Sequence, residues 1–187
     1  MKYLLIVFFF PTYLLAQSKQ ISIIPVPVSL LQNVGEFIIN EQTQIEFSAQ
    51  SKQLQSAASF LRNAIQDISG LNLPINKYAK QKIVLALIKD AVIGEEGYHL
   101  AVSINAIQIK ANTPAIIYGM QTLLQTLPAV RTNAKLTVPC MKVTDYPRFK
   151  WRGMHLDVSR HFFGPNVIKQ YLDLLAAYKF NTFHWHL

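Results

Sequence analysis

Sulfur and glycine are scarce: the 187 residues include one cysteine and 7 glycines. A lone Cys140 excludes a disulfide framework and any cysteine-rich metal knuckle, and it reads most simply as a small buried hydrophobe. Charge is thin, at 15% of residues against 51% apolar ones. That balance excludes a disordered or acidic solvating tail and leaves a folded chain. The formal charge of +8 is spread over isolated cations, with no two Lys or Arg adjacent, so there is no basic stripe for nucleic acid. Motifs for nucleophilic and phosphoryl-transfer chemistry are missing as well. There is no nucleophile elbow, no Gly-rich phosphate loop and no Zn-binding H-E-x-x-H.

What is present starts with an export segment. Met1 and Lys2 precede the uncharged run YLLIVFFFPTYLL at residues 3–15, followed by Ala16 and a polar stretch. At 1.5 Å per residue that run covers about two thirds of a ~30 Å hydrocarbon core. Residues 1–16 therefore read as a signal peptide rather than a stable membrane anchor. No cysteine follows the run to accept a lipid. The expected location is periplasmic or extracellular.

Residues 17–144 read as an α+β domain, mainly an antiparallel sheet with two helices on one face. Between 51 and 69, Leu54, Ala57, Ala58, Leu61, Ala64, Ile65 and Ile68 recur at helical spacing, and Gly70 supplies the stop. Thr113-Pro114 opens a second helix, whose expected inner face is Ile117, Met120, Leu123, Leu124 and Leu127. Residues 82–88 (KIVLALI) read as a buried strand. Tyr98, Leu100, Val102 and Ile104 alternate with other residues before a turn near Asn105 into Ile107-Gln108-Ile109. The aromatics Phe37, Phe47, Phe60, Tyr78, Tyr98 and Tyr118 are expected mostly in the core.

Residues 145–187 change style. A strand from Trp151 to Ser159 leads to a helix opening at Gly164-Pro165, with Val167, Ile168, Tyr171, Leu172, Leu174, Leu175 and Tyr178 inward. A second strand runs from Asn181 to Leu187. Such a unit is ordinarily parallel and carries its ligand-facing residues at the C-terminal strand ends. Those ends hold Asp157, Ser159, Arg160 and His161, and then His184 and His186. Two parallel strands and one helix cannot cover both faces of a sheet, which predicts the front part of a longer protein.

Arg160 lies just past the strand, where its fork can hold two adjacent hydroxyls or a carboxylate. Asp157 either orients an arginine or touches the ligand. Arg152, between Trp151 and Gly153, reads as a buried, paired structural arginine, and His161 beside Phe162-Phe163 as a packed residue. His184 and His186 are two apart in extended chain and share a face, with Phe183 and Trp185 on the other. Two imidazoles are half of a metal site, and donation of hydrogen bonds is the competing reading. No metal or other cofactor is assigned.

R-G-x-x-L-D-x-S-R-H-F at Arg152 to Phe162 and N-x-F-H-W-H-L at Asn181 to Leu187 resemble the opening of the catalytic barrel of glycoside hydrolase family 20, the β-N-acetylhexosaminidases. Ile24-Pro25-Val26-Pro27, Glu96-Gly97-Tyr98-His99-Leu100 and Tyr118-Gly119-Met120-Gln121-Thr122-Leu123 resemble the non-catalytic α+β domain before that barrel. Ala115 departs from the glycine the family often has there. The resemblance implies the first β-α-β of a truncated (β/α)8 TIM barrel. It implies exo-acting, retaining, substrate-assisted release of terminal N-acetylglucosamine or N-acetylgalactosamine from glycoconjugates or chitooligosaccharides. On this resemblance Arg160 binds hydroxyls of the terminal sugar, and Asp157, His184 and His186 build the same pocket. The family's catalytic Asp-Glu pair is absent from the sequence, which implies a chain inactive alone. Two other classes compete. One is a carbohydrate-binding or scaffold module in residues 21–144; the other is a metal-dependent barrel hydrolase using His184 and His186.

Overall fold

The computed structural model describes residues 21–48, 51–75, 80–112, 115–130 and 135–187. The expected signal peptide, the Thr113-Pro114 helix start and Tyr78 lie outside the described residues. Among the described residues no helix is long and apolar enough to cross a membrane.

Six strands form one sheet: β1 (Ser29–Ile39), β2 (Gln44–Phe47), β3 (Lys82–Leu87), β4 (Tyr98–Val102), β5 (Ala106–Ala111) and β6 (Leu136–Asp145). Their order is β1-β6-β4-β5-β3-β2. The pairs β1/β6, β6/β4 and β4/β5 are antiparallel, the last as the expected turn near Asn105 requires. The pairs β5/β3 and β3/β2 are parallel, so the sheet is mixed rather than mainly antiparallel. The chain after β3 passes the place of β5 to form β4 and returns between them as β5, parallel to β3, and helix α1 (Lys52–Ser69) connects β2 to β3. A helical crossover brings the chain back in its original direction.

Register aligns the apolar side chains into a continuous face. Ile45, Ile83, Ile107, Val102 and Met141 are successive cross-strand partners, as are Leu85, Ile109, Leu100 and Val143. Leu54, Ala57, Ala58, Leu61 and Ile65 of α1 are buried in the core with them. Gly70 ends α1 in the left-handed region (φ 79°), where its N–H reaches Gln66 O, a backbone shape that glycine adopts without penalty.

Helix α2 (Ile116–Leu124) buries Ile116, Gly119, Met120 and Leu123. Ile117, expected inside, is 44% exposed. Met120, Leu123 and Leu127 are buried as expected, and Ile116 takes the place of Ile117 because α2 docks through Gly119, where an added Cβ would lie 2.5 Å from Ile109 Cγ2 and 3.1 Å from Tyr98 Cδ2. Phe60 also departs from expectation, exposed on the outer side of α1. Cys140 and Ala115 are buried.

The remaining chain is β7 (Gly153–Asp157), α3 (Pro165–Ala177) and β8 (Thr182–His186). β7 and β8 pair in parallel, with His155 opposite His184 and Asp157 opposite His186. Of the expected inner residues of α3, Ile168 and Leu175 are buried, whereas Val167, Leu172, Leu174 and Tyr178 are 43–56% exposed. A two-stranded sheet offers the helix too narrow a surface to cover them.

Two ion-pair networks join this unit to the large sheet. Lys179 follows α3 in the left-handed region at φ 62°, and its Nζ donates to Asp145 Oδ2 at 2.9 Å and Tyr98 Oη at 2.8 Å. Tyr98 gives its own proton to the same carboxylate at 2.9 Å, so Thr122 Oγ1, 2.6 Å away, donates to Tyr98. Burial depresses the Lys179 ammonium, with Asp145 opposing, and pushes the Tyr98 hydroxyl far up.

Arg152 forms the second network; it is paired as the sequence suggested, but half-buried rather than buried. Its Nη2 and Nη1 hold Glu96 Oε1 at 2.7 Å and Oε2 at 3.2 Å. Its Nε donates to Lys179 O at 2.8 Å, which ties the two networks together. The Arg152 fork holds the Glu96 carboxyl below its usual value against the effect of burial, with donors from Tyr118 and Asn181 assisting.

Gly119→Ala is expected to lower stability by about 1–3 kcal/mol, read as a lower urea midpoint at unchanged slope. An unshifted midpoint would mean that α2 can retreat from Ile109 at no cost. Glu96 titrates lower in the folded chain than the 4.5 of a free glutamate. Its contribution is therefore complete above pH 4.5 and is lost as pH falls below that value. Fluorescence of Trp151 and Trp185 should change in that acid range, and Glu96→Gln should remove this part of the response. An identical acid transition in Glu96→Gln would assign the titration to other groups.

Candidate functional site

Strand alternation sorts the β7–β8 unit into two faces. Tyr171 of α3 packs on Phe183, with ring centroids 5.7 Å apart, and Phe183 stacks on Trp185 at 6.1 Å. Helix α3 therefore covers the Phe183 side. His155 and Asp157 of β7 and His184 and His186 of β8 project to the opposite side, where all four meet.

Two contacts organise that face. Nδ1 of His155 lies 3.1 Å from Nδ1 of His184, with the rings edge to face. One imidazole must donate and the other accept, so at least one of the pair is neutral while the bond stands. His186 Nδ1 lies 3.2 Å from Asp157 Oδ1. With Nδ1–H donated to a carboxylate, His186 keeps Nε2 as its remaining hydrogen-bonding atom.

Asp157 is the hub of the strand-end loop. Its Oδ1 accepts from the Ser159 N–H at 2.9 Å, the Ser159 hydroxyl at 2.9 Å and the Arg160 N–H at 3.2 Å. These donors, the Ser159 hydroxyl first and His186 next, hold its carboxyl far below the usual carboxylate range. Asp157 is therefore an acceptor at neutral pH.

Arg160 stands at the rim with its side chain 91% exposed, its Nε 3.8 Å from Asp157 Oδ2. Its fork is anchored at one edge and open to an incoming group. His161 is exposed, with its ring edge on Phe163 at 5.1 Å; it is not the packed residue the sequence suggested, because the loop carries it outward.

The structure thus brings Asp157, His184 and His186 into one cluster with Arg160 beside it, and adds His155, which the sequence reading passed over. The available signal was the period of two from Asp157 together with the parallel register opposite His184. The imidazoles of His155 and His184 face each other rather than converge on a common point. Among the described residues no group of three or more His, Cys, Asp or Glu could hold a metal ion. Chemically the cluster offers donors and acceptors for a polar, hydroxyl-bearing ligand at the C-terminal ends of two parallel strands.

Comparison with known proteins gives this arrangement a family. The model of glycosyl hydrolase family 20, domain 2, matches residues 20–146, and the model of the glycosyl hydrolase family 20 catalytic domain matches residues 149–187. A β-hexosaminidase of Porphyromonas gingivalis is 34% identical over 179 residues, which are 91% of this chain and 23% of the relative. A β-N-acetylhexosaminidase of Cellulomonas fimi is 32% identical over 171 residues, 89% of this chain and 34% of the relative. The solved family 20 β-N-acetylhexosaminidase from Streptomyces coelicolor A3(2) superposes with a TM-score of 0.81 at 31% identity, over 88% of this chain and 34% of that one. The family 20 exo-β-N-acetylglucosaminidase from Vibrio harveyi, solved in complex with N-acetylglucosamine, gives 0.77 at 31% identity, over 88% and 25%. The chain spans between 23% and 34% of the length of these relatives. With both models matched in sequence order, and with domain 2 alone covering more than half of the residues, the chain belongs to glycosyl hydrolase family 20.

Proposed function

We propose that these 187 residues are the leading part of an exported, exo-acting β-N-acetylhexosaminidase that releases terminal N-acetylglucosamine or N-acetylgalactosamine. The observation that carries this reading is the gathering of Asp157, His184 and His186, with Arg160 at the rim, in the stretch matched by the family's catalytic model. The β7–α3–β8 unit is then the opening β-α-β of a (β/α)8 barrel, with α3 outside and the histidine face inside. Sites of such barrels lie at the C-terminal strand ends, which is where this cluster sits.

In the substrate-assisted scheme the sugar's own acetamido oxygen attacks the anomeric carbon, and a carboxylic acid protonates the departing oxygen. The residues present here bind and orient. Arg160 donates to hydroxyls of the terminal sugar, and Asp157 holds both the Arg160 loop and the His186 ring in place. Asp157 cannot serve as the acid, because its carboxyl stays ionised far below neutral pH and a general acid needs a pKa near the operating pH.

The purified 187-residue chain is therefore expected not to release a chromogenic aglycone from an N-acetylglucosaminide. Turnover above buffer would show that the missing acid is dispensable. In the full-length enzyme carrying these residues, Arg160→Ala should lower kcat/KM by the value of a charge-assisted hydrogen bond, about 1.5–3 kcal/mol. An unchanged kcat/KM would remove Arg160 from the sugar site.

A further inference from the structure

Lys179 lies far from the rim, yet it is held at both ends. Its side chain is buried between Asp145 of β6 and Tyr98 of β4. Its carbonyl accepts from Arg152, whose fork is closed on Glu96. Its backbone is in the left-handed region, which a residue with a side chain adopts only where the surroundings over-determine it.

Five residues further on is His184. The link between them is also pinned. Arg152 N–H donates to Asn181 Oδ1 at 3.0 Å, while the Asn181 and Thr182 N–H groups donate to Arg152 O at 3.0 and 3.2 Å. Asn181 Nδ2 reaches Lys150 O at 2.7 Å and Glu96 Oε1 at 3.3 Å. The starts of β7 and β8 are thus gathered at one point on the six-stranded sheet. A two-stranded sheet is at best marginal by itself, and α3 buries only Ile168 and Leu175. One further polar tie reaches α3, from Gln125 Nε2 to Ala177 O at 2.9 Å.

We propose that Lys179 is a positioning residue: through Asp145 and Tyr98 it uses the six-stranded sheet to set where β8 presents His184 and His186. The non-catalytic domain is then part of the site's frame. The lysine is suited to this because its ammonium has two acceptors at fixed positions and no solvent to turn to. A displaced Lys179 must carry the turn, the start of β8 and the imidazoles with it. The contact that reports the displacement is the His155–His184 hydrogen bond, which needs both strands in register to within a few tenths of an ångström.

For what the placed imidazoles bind, this proposal rests on the hexosaminidase reading. Its test reads placement without turnover, so either can fail while the other stands. Long-range proton–nitrogen spectra of the histidine rings are recorded on the 187-residue chain and on Lys179→Met. In the wild type the Nδ1 atoms of His155 and His184 should give distinct donor and acceptor shifts. In Lys179→Met more than half of that difference should vanish, while His99, paired with Asp90 and Thr144 on β4, keeps its shifts and certifies that the large sheet is folded. If Lys179→Met loses the His99 signature, two gentler variants are read in the same way. Lys179→Met with Asp145→Asn leaves no unpaired buried charge, and Tyr98→Phe keeps the ammonium on Asp145 while removing the hydroxyl that accepts from Lys179 and Thr122 and donates to Asp145. Wild-type His155 and His184 shifts in a folded variant without the Lys179 ammonium would overturn the proposal.

Discussion

An ammonium and a carboxylate buried together set the terms for the rest of this molecule. Lys179 is 6% exposed and Asp145 9%, and neither can turn to water. Such a pair adds little net stability, since desolvation offsets most of the attraction, but leaving one partner alone costs about 3–5 kcal/mol. Its effect is therefore exclusion: any arrangement of the β7–α3–β8 unit that parts the two charges is heavily disfavoured. Arg152 on Glu96 works the same way with stricter geometry, because a planar fork on a carboxylate fixes direction as well as distance. Since Arg152 also binds the Lys179 carbonyl, the two pairs cannot shift independently.

From that joint the two strands run out to a face of unusual composition. A buried parallel strand normally carries Val, Ile or Leu on both sides. Here one side of β7 and β8 holds His155, Asp157, His184 and His186, and the other holds Phe183 and Trp185. These polar groups add no apolar packing between the two strands, so their position must be secured from elsewhere. The ion pairs at the strand starts provide that security, and the hydrogen bonds converging on Asp157 provide it again at the strand ends.

Local periodicity made much of the fold legible. The bounds of α1 and its stop at Gly70, the β4–β5 hairpin and the parallel β7–α3–β8 unit all follow from spacing and turn residues. The parallel half of the sheet did not, because the direction of β2 against β3 depends on how α1 crosses, which no single segment encodes. On α2, spacing alone does not choose between Ile116 and Ile117, which are equally apolar; what decides is the gap that Gly119 leaves for Ile109. The period of α3 points its large apolar residues inward, whereas their exposure depends on how much sheet lies beneath them. At the site, Asp157, His184 and His186 could be read from one strand at a time. His155 required the register between strands, and Lys179 and Asp145, 34 residues apart, required the assembled joint.

Arg152 and Arg160 show what residue type alone leaves open. They are eight positions apart, on either side of one strand, and carry the same planar fork. Arg152 finds Glu96, two backbone carbonyls and the Tyr118 hydroxyl within hydrogen-bond reach, and its side chain is 17% exposed. Its donors are occupied, and any ligand would have to displace a bidentate carboxylate. Among the described residues the Arg160 side chain meets only an edge of Asp157 at 3.8 Å, and it is 91% exposed, so its donors face solvent, which a polyhydroxylated ligand can replace one hydrogen bond at a time. The difference between a closed arginine and an open one is set by what the fold places opposite the fork, and that in turn is set by the loop on which Glu96 sits and the turn that Asp157 closes.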